Sequence, residues 1–169
     1  DLTIEGICLD KEQQTFTRDV AEEPVMLKLN AGDILLKEWT FNKATGVLLY
    51  QLNHDQAIGR MWAVGELQER MEDPGVQAAL VESSGNDAFW SVRERAVQAI
   101  GTMKNDAIVL ALMARASEDA DSHVRAAALE TLGAYDDKIP APYFLNRYEA
   151  EDSPLAKAAA ATALAKWAN

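Results

Sequence analysis

Apolar residues recur with the spacing of one helix face in four related segments of the chain. The segments share a basic residue, at Arg60, Arg93, Arg125 and Lys157, which returns at a nearly constant interval. Small or apolar residues follow it three, four and seven positions later, as in "VRERAVQAIG" (92–101) and "VRAAALETLG" (124–133). These offsets lie on one side of a helix. The pattern predicts four amphipathic helices, each preceded by an acidic residue suited to its N-cap: Asp55, Asp87, Asp121 and Asp152.

Shorter apolar segments separate these helices. They are "GVLLYQL" (46–52), "PGVQAALVES" (74–83), "DAIVLALMARAS" (106–117) and "APYFLNRY" (141–148). Pro74 suits a first helical turn, and Gly101 and Gly133 suit helix ends. Each repeat is therefore predicted to be an antiparallel helix pair, which buries its apolar face only by stacking on its neighbours. We expect a mainly α protein in which residues 42–169 form an α-α superhelix of about four helix pairs.

The repeated basic and acidic residues predict a structural ladder of hydrogen bonds between successive pairs. Its expected members are Asp55, Arg60, Asp87, Arg93, Asp121, Arg125, Asp152 and Lys157. A second feature is the "AFW" run, in which Phe89 and Trp90 open a predicted helix. These two aromatic side chains are the candidate contact site.

The N-terminal segment, residues 1–41, has a different pattern. Stretches such as "TIEGICLD", "QTFTRDV", "VMLKLN" and "ILLKEWTF" are short, contain β-branched or aromatic residues, and alternate with turn-prone stretches. We expect residues 1–41 to form a short antiparallel β segment. An open sheet must pack its apolar face on another layer, so we expect either that the first helices cover it or that the missing half lies upstream of Asp1.

Composition narrows the classes of partner. Sixteen Lys and Arg residues against 27 Asp and Glu residues give a formal net charge of -11. Such a surface repels phosphate backbones and anionic lipid head groups, so we expect neither nucleic acid nor a membrane as partner. The single cysteine, Cys8, excludes an intrachain disulfide and does not distinguish the cytoplasm from the periplasm.

Two parts of the sequence resemble known families. The pieces "LLKEWTF", "LLYQL" and "HDQAIGRMWAVGEL", within residues 13–69, resemble the junction between the β-sandwich and the C-terminal helical domain in bacterial zinc aminopeptidases of the membrane alanine aminopeptidase (gluzincin) family. The D-x-x-V-R-x-x-A core of 121–128 resembles HEAT-like repeats, including the phycobilisome-lyase type. The first resemblance implies that residues 1–41 are the end of a β-sandwich and that a helical superstructure follows beside a catalytic domain.

The chain carries no catalytic, cofactor or metal residues by sequence. The aminopeptidase family binds zinc through a His-Glu-x-x-His helix, but the two histidines, His54 and His123, are far apart in the chain and lie outside such a motif. "DADSH" (119–123) combines carboxylates and an imidazole, yet it occupies the expected turn and N-cap of a repeat. Zinc is therefore expected only in the catalytic domain of a parent protein.

Two functional interpretations follow. In the first, the chain is the non-catalytic C-terminal segment of a zinc aminopeptidase, inactive alone, and borders the catalytic domain of the same polypeptide. The absence of an initial Met and the partial sheet favour this fragment hypothesis. In the second, it is a free-standing HEAT-like scaffold that binds a protein or peptide, and a basic partner suits its charge. An exposed sheet edge also predicts homodimers.

Overall fold

The chain divides into two compact units, Asp1–Lys43 and Ala44–Asn169. The computed structural model describes residues 3–8, 10, 12, 14–29, 42–135 and 139–167.

The first unit differs from the sequence prediction. No strand occurs among its described residues, so the structure does not support strands at "TIEGICLD", "QTFTRDV" or the described part of "VMLKLN". The segment "ILLKEWTF" lies outside the described residues. Apolar side chains that were expected on a packed sheet face are exposed, including Ile4, Val20 and Val25 at 62% or more. A strand gains little stability without a paired strand and a covered apolar face. The predicted homodimer therefore has no described sheet edge to use.

The second unit confirms the prediction of a mainly α fold in helix pairs. Its described residues form eight α-helices, α1 Thr45–His54, α2 Ala57–Gln68, α3 Pro74–Asn86, α4 Trp90–Ile100, α5 Asp106–Glu118, α6 Ser122–Gly133, α7 Ala141–Ala150 and α8 Pro154–Ala165. A short 3-10 turn, Gly101–Met103, follows α4. The pairs are α1–α2, α3–α4, α5–α6 and α7–α8, numbered here from one to four.

Short polar residues start several helices. Asp73 caps α3 by accepting a hydrogen bond from the backbone N–H of Gly75, and Asn105 caps α5 by accepting one from Ile108. Asp121 is the N-cap of α6. The N-cap prediction is wrong for Asp55 and Asp87, because these residues end α1 and α3 instead. The N-cap of α8 is Ser153, so Asp152 lies one position too early to cap it.

One core residue repeats in the first helix of every pair. Leu48, Leu80, Leu112 and Phe144 follow each other at a constant interval, and each is at most 1% exposed. The second helices contribute alanines at one equivalent position, Ala63, Ala96, Ala128 and Ala160, all fully buried. These small side chains allow α2, α4, α6 and α8 to pack directly on one another, whereas the first helices contact each other less. The stack is therefore tighter on the side of the second helices.

Candidate binding surfaces

A ladder of charged side chains joins successive helix pairs. The Arg60 Nε and Nη2 atoms donate to the two carboxylate oxygens of Asp87 at 2.7 and 2.8 Å. Arg93 binds Asp119 in the same way, with both distances at 2.8 Å. Arg125 binds Glu151 at 2.8 and 2.7 Å. This two-pronged geometry fixes the orientation as well as the distance between neighbouring pairs.

Each ladder arginine also ties down its own helix pair. Its Nη1 atom donates to the backbone carbonyl of the residue that ends the first helix of that pair. The acceptors are Asp55 for Arg60 and Asp87 for Arg93, both at 2.8 Å, and Asp119 for Arg125 at 2.9 Å. Carbonyls at a helix C-terminus lack intrahelical partners, so the arginine satisfies one of them. One side chain thus connects the turn of its own pair to the turn of the next.

The ladder carboxylates form a column with a constant spacing. Asp87, Asp119 and Glu151 follow Asp55 at one unchanging interval along the sequence, and all four residues are C-caps of first helices. The side chain of Asp55 accepts from Gln51 and not from a ladder arginine. The sequence analysis assigned Asp121 and Asp152 to the ladder, whereas Asp119 and Glu151 are the residues that bind the arginines. It chose an acidic residue near each basic residue and did not require the same interval in every repeat. The constant interval was the signal that identifies the pairing residues.

The other expected ladder residues lie elsewhere. Asp121 accepts from the backbone N–H of His123 at the start of α6. Asp152 is exposed in the turn before α8. Lys157 places its Nζ atom 5.4 Å from the centre of the Tyr148 ring. The ladder contacts among the described residues therefore join three arginines to three carboxylates and do not include Lys157.

Ladder contacts shift the pKa of Asp119, of Glu151 and of the three arginines. The hydrogen bonds from Arg125 lower the pKa of Glu151 to about 2, against the opposing effect of burial. Burial on its own would raise the pKa of Asp119, but Arg93 and the backbone N–H of Asp121 outweigh it and lower that pKa. The pKa of each arginine is raised by the hydrogen bond to its carboxylate. These five groups are therefore charged at neutral pH.

Glu151 gives the ladder a measurable acid dependence. A carboxylate whose pKa is 4.5 when free and about 2 in the folded chain contributes stability that is fully present above pH 4.5. We expect up to about 3 kcal/mol of the free energy of unfolding to disappear as the pH falls between those two values. Urea unfolding of the native chain across this pH range measures the loss.

Glu151→Gln isolates the contribution of this side chain. The variant is expected to be less stable at pH 7 and to lack the corresponding part of the pH slope. Glu149→Gln, at an exposed position of α7, is the matched control and should keep the native slope. An unchanged slope in Glu151→Gln would contradict this account of the ladder.

An aromatic cluster lies at the start of the second helices. The rings of Trp90 and His123 stack with their centres 4.4 Å apart, which links α4 to α6. The ring of Phe89 lies 5.8 Å from that of Trp90. The His123 Nδ1 atom is 3.0 Å from a carboxylate oxygen of Asp121, which orients the imidazole. The cluster therefore spans two helix pairs and includes both residues of the predicted contact site.

The first and last helix pairs carry exposed apolar residues at an equivalent position. Ile58 on α2 and Leu155 on α8 occupy the position of His123, two places before the basic residue of each repeat. Ile58 is 61% exposed, Leu155 43% and Phe89 38%. We define Ile58, Phe89, Trp90, His123 and Leu155 as the edge surface. It is a row of partly exposed apolar and aromatic groups on an acidic protein.

A cleft lies on the surface between α2 and α4. It has a volume of about 280 Å³ and is open to solvent. Its walls are Val64, Gly65 and Gln68 from α2, and Ser91, Glu94, Arg95 and Gln98 from α4. We call this feature the α2–α4 cleft. Its lining is mainly polar, in contrast to the edge surface.

Neither a metal-binding cluster nor a membrane-spanning helix occurs within the described ranges. There, no group of three or more His, Cys, Asp and Glu side chains is arranged to hold a metal ion. No helix in the part of the chain that the structure describes has the length and apolar character needed to cross a membrane.

Comparison with known proteins identifies the repeat. A family model described as HEAT repeats matches residues 79–165, just over half of the chain. The match covers most of α3 and all of the helices from α4 to α8. No curated protein and no solved structure matches the chain.

Proposed function

Since this chain belongs to the HEAT-repeat family, we propose that it is a protein-binding scaffold whose edge surface docks a partner segment with basic and apolar side chains. HEAT solenoids present extended surfaces built from equivalent positions of successive repeats. The observation that carries the proposal is the aromatic cluster of Phe89, Trp90 and His123, which joins two helix pairs and leaves Phe89 38% exposed.

The chemistry of the edge surface favours a basic and apolar partner. Aromatic rings bind both apolar side chains and the cations of arginine or lysine. Several carboxylates lie near the edge-surface residues in the sequence. Asp121 pairs with His123, and Glu118 and Asp152 are exposed. The net charge of -11 attracts positively charged proteins and accelerates their association. Apolar contact and charge thus favour the same kind of segment.

A labelled peptide that combines arginine, leucine and serine tests this proposal by fluorescence anisotropy. We expect it to bind the native chain more tightly than the same peptide with glutamate in place of arginine, and to weaken as salt is added. Phe89→Ser is expected to lower the affinity about fivefold or more, since exposed aromatic anchors contribute strongly to interfaces. Serine is also a preferred N-cap, so this variant should keep α4 intact.

The control variant is Leu110→Ser on α5, where Leu110 is 68% exposed but lies outside the edge surface. It should bind the arginine peptide like the native chain. Equal weakening by Phe89→Ser and Leu110→Ser, or equal binding of the arginine and glutamate peptides, would reject the edge surface as the docking site.

A more specific hypothesis is that the scaffold is the C-terminal part of a zinc aminopeptidase and borders its catalytic domain. It is supported by the resemblance of residues 13–69, a stretch that the family match at 79–165 does not reach. The source reading frame upstream of Asp1 tests it. A His-Glu-x-x-His motif with a downstream glutamate is the expected result, and a start codon directly before Asp1 would reject the hypothesis.

A further inference from the structure

His123 is the one titratable residue of the edge surface. Its imidazole ring stacks on Trp90 with the ring centres 4.4 Å apart, and its side chain is 50% exposed. Histidine is the side chain that ordinarily gains or loses a proton between about pH 5 and pH 8, whereas the aromatic and aliphatic residues beside it carry no charge. The acidity of the medium therefore acts on this surface through His123.

The carboxylate of Asp121 determines which ring nitrogen carries the proton. Its Oδ1 atom lies 3.0 Å from His123 Nδ1 and 2.9 Å from the backbone nitrogen of His123. An ionised carboxylate only accepts hydrogen bonds, so a neutral imidazole in this contact carries its proton on Nδ1. The Nε2 atom then has a free lone pair, and no described residue donates to it. Neutral His123 thus offers a hydrogen-bond acceptor to a partner.

The other charged groups around the starts of α4, α6 and α8 keep their charge at mildly acidic pH. Besides Asp121 they are the ladder pairs Arg60–Asp87, Arg93–Asp119 and Arg125–Glu151, and the exposed Glu118 and Asp152. Guanidinium groups stay protonated where histidine titrates, and carboxylates ordinarily gain protons only at lower pH. Among the ladder carboxylates, the lowered pKa of Asp119 and the Glu151 pKa of about 2 reinforce this order. His123 is therefore the group that changes the charge here first.

We propose that neutral His123 accepts a hydrogen bond through Nε2 from the basic side chain of the docked segment, and that protonation of His123 releases the segment. Both nitrogens of an imidazolium carry hydrogen, so Nε2 changes from an acceptor to a donor. The positive charge also offsets the carboxylate of Asp121, which attracts a basic side chain. The proton comes from the solvent, and docking returns it there. This inference rests on the proposed docking function and adds its regulation by pH.

The arginine peptide that tests docking also measures this pH dependence. We expect its affinity for the native chain to fall about two- to fivefold from about pH 7.5 to pH 5.5, which is the effect of one exposed charge contact. Fluorescence anisotropy at constant ionic strength measures both affinities. The stability that Glu151 contributes is fully present above pH 4.5, so the ladder stays intact over this range.

The two histidines of the chain provide a matched pair of variants. His123→Gln keeps a polar side chain but removes the titrating ring, so this variant should bind the peptide equally at both pH values. His54→Gln is the control, because the His54 ring stacks on Tyr50 in α1, outside the edge surface. It should keep the pH dependence of the native chain.

Nuclear magnetic resonance of the imidazole nitrogens tests the chemical basis on the native chain without a peptide. The expected result for neutral His123 is the tautomer that carries its proton on Nδ1. The opposite tautomer would overturn the proposal, because its Nε2 atom would donate a hydrogen bond rather than accept one.

The binding results separate the pH dependence from docking itself. Equal affinity at both pH values, tighter binding at the lower pH, or a pH dependence that persists in His123→Gln would overturn the role of His123 and leave docking intact. If the arginine peptide binds at neither pH, the docking function is rejected, and its regulation with it.

Discussion

Replacing Arg93 with alanine is expected to lower the free energy of unfolding by about 3–5 kcal/mol, the usual cost of removing one partner from a buried ion pair. The carboxylate of Asp119, whose side chain is 3% exposed, would lose both hydrogen bonds from the guanidinium. The backbone carbonyl of Asp87 would lose its donor as well. The variant thus removes the ladder contact between the second and third helix pairs.

Urea unfolding of the native chain and of Arg93→Ala measures this effect. Lys157→Ala is the matched control, because Lys157 holds the equivalent position in the fourth pair and contacts the Tyr148 ring rather than a ladder carboxylate. Its expected cost is below about 1 kcal/mol. Similar losses for the two variants would show that the ladder arginine contributes no more than an ordinary basic residue.

The second large effect is expected at the core. Leu112→Ala should destabilise the chain by about 2–5 kcal/mol, because Leu112 is fully buried and its loss leaves a cavity. Leu110→Ala removes the same atoms from the same helix at a position that is 68% exposed. It should change the free energy of unfolding by less than about 0.5 kcal/mol. Thermal unfolding compares the stability of the two variants. A similar loss of stability at both positions would contradict the assignment of Leu112 to the core.

The periodic part of the sequence was sufficient to predict the helical architecture. The regular interval between repeats, the offsets of three, four and seven, and the turn residues at Pro74 and Gly101 all describe local geometry that a helix pair must satisfy. Stacking then follows, because one pair is unable to bury its own apolar face. Family membership and eight described helices agree with that prediction.

Identifying the carboxylates that bind the ladder arginines required either the three-dimensional structure or a stricter use of the repeat interval. The guanidinium of Arg93 reaches across to the next pair, where it binds the C-cap residue of α5 rather than the N-cap residue of α6. Only one residue lies between Asp119 and Asp121. Closeness to Arg125 in the sequence therefore did not show which of the two binds a ladder arginine. The interval from Asp55 to Asp87 leads next to Asp119, so the repeat spacing identifies Asp119 as the ladder residue.

The N-terminal prediction was not supported by the structure because it relied on local composition. Alternation in "VMLKLN" fits a strand, but a strand is stabilised only by a paired neighbour and a covered face. Val25 and Leu27 are instead 62% and 53% exposed. The α2–α4 cleft was equally inaccessible from sequence, since Gly65 and Arg95 belong to different helix pairs and no motif connects them.

The proposed edge surface depends on the central claim that the ladder holds successive helix pairs in a fixed arrangement, because the aromatic cluster spans two pairs. A double-mutant cycle of Arg93→Ala and Asp119→Ala tests that claim most directly. The two substitutions should be strongly non-additive, with a coupling free energy of about 2–3 kcal/mol in urea unfolding. Additive losses, with a coupling near zero, would show that the paired side chains do not hold the stack together.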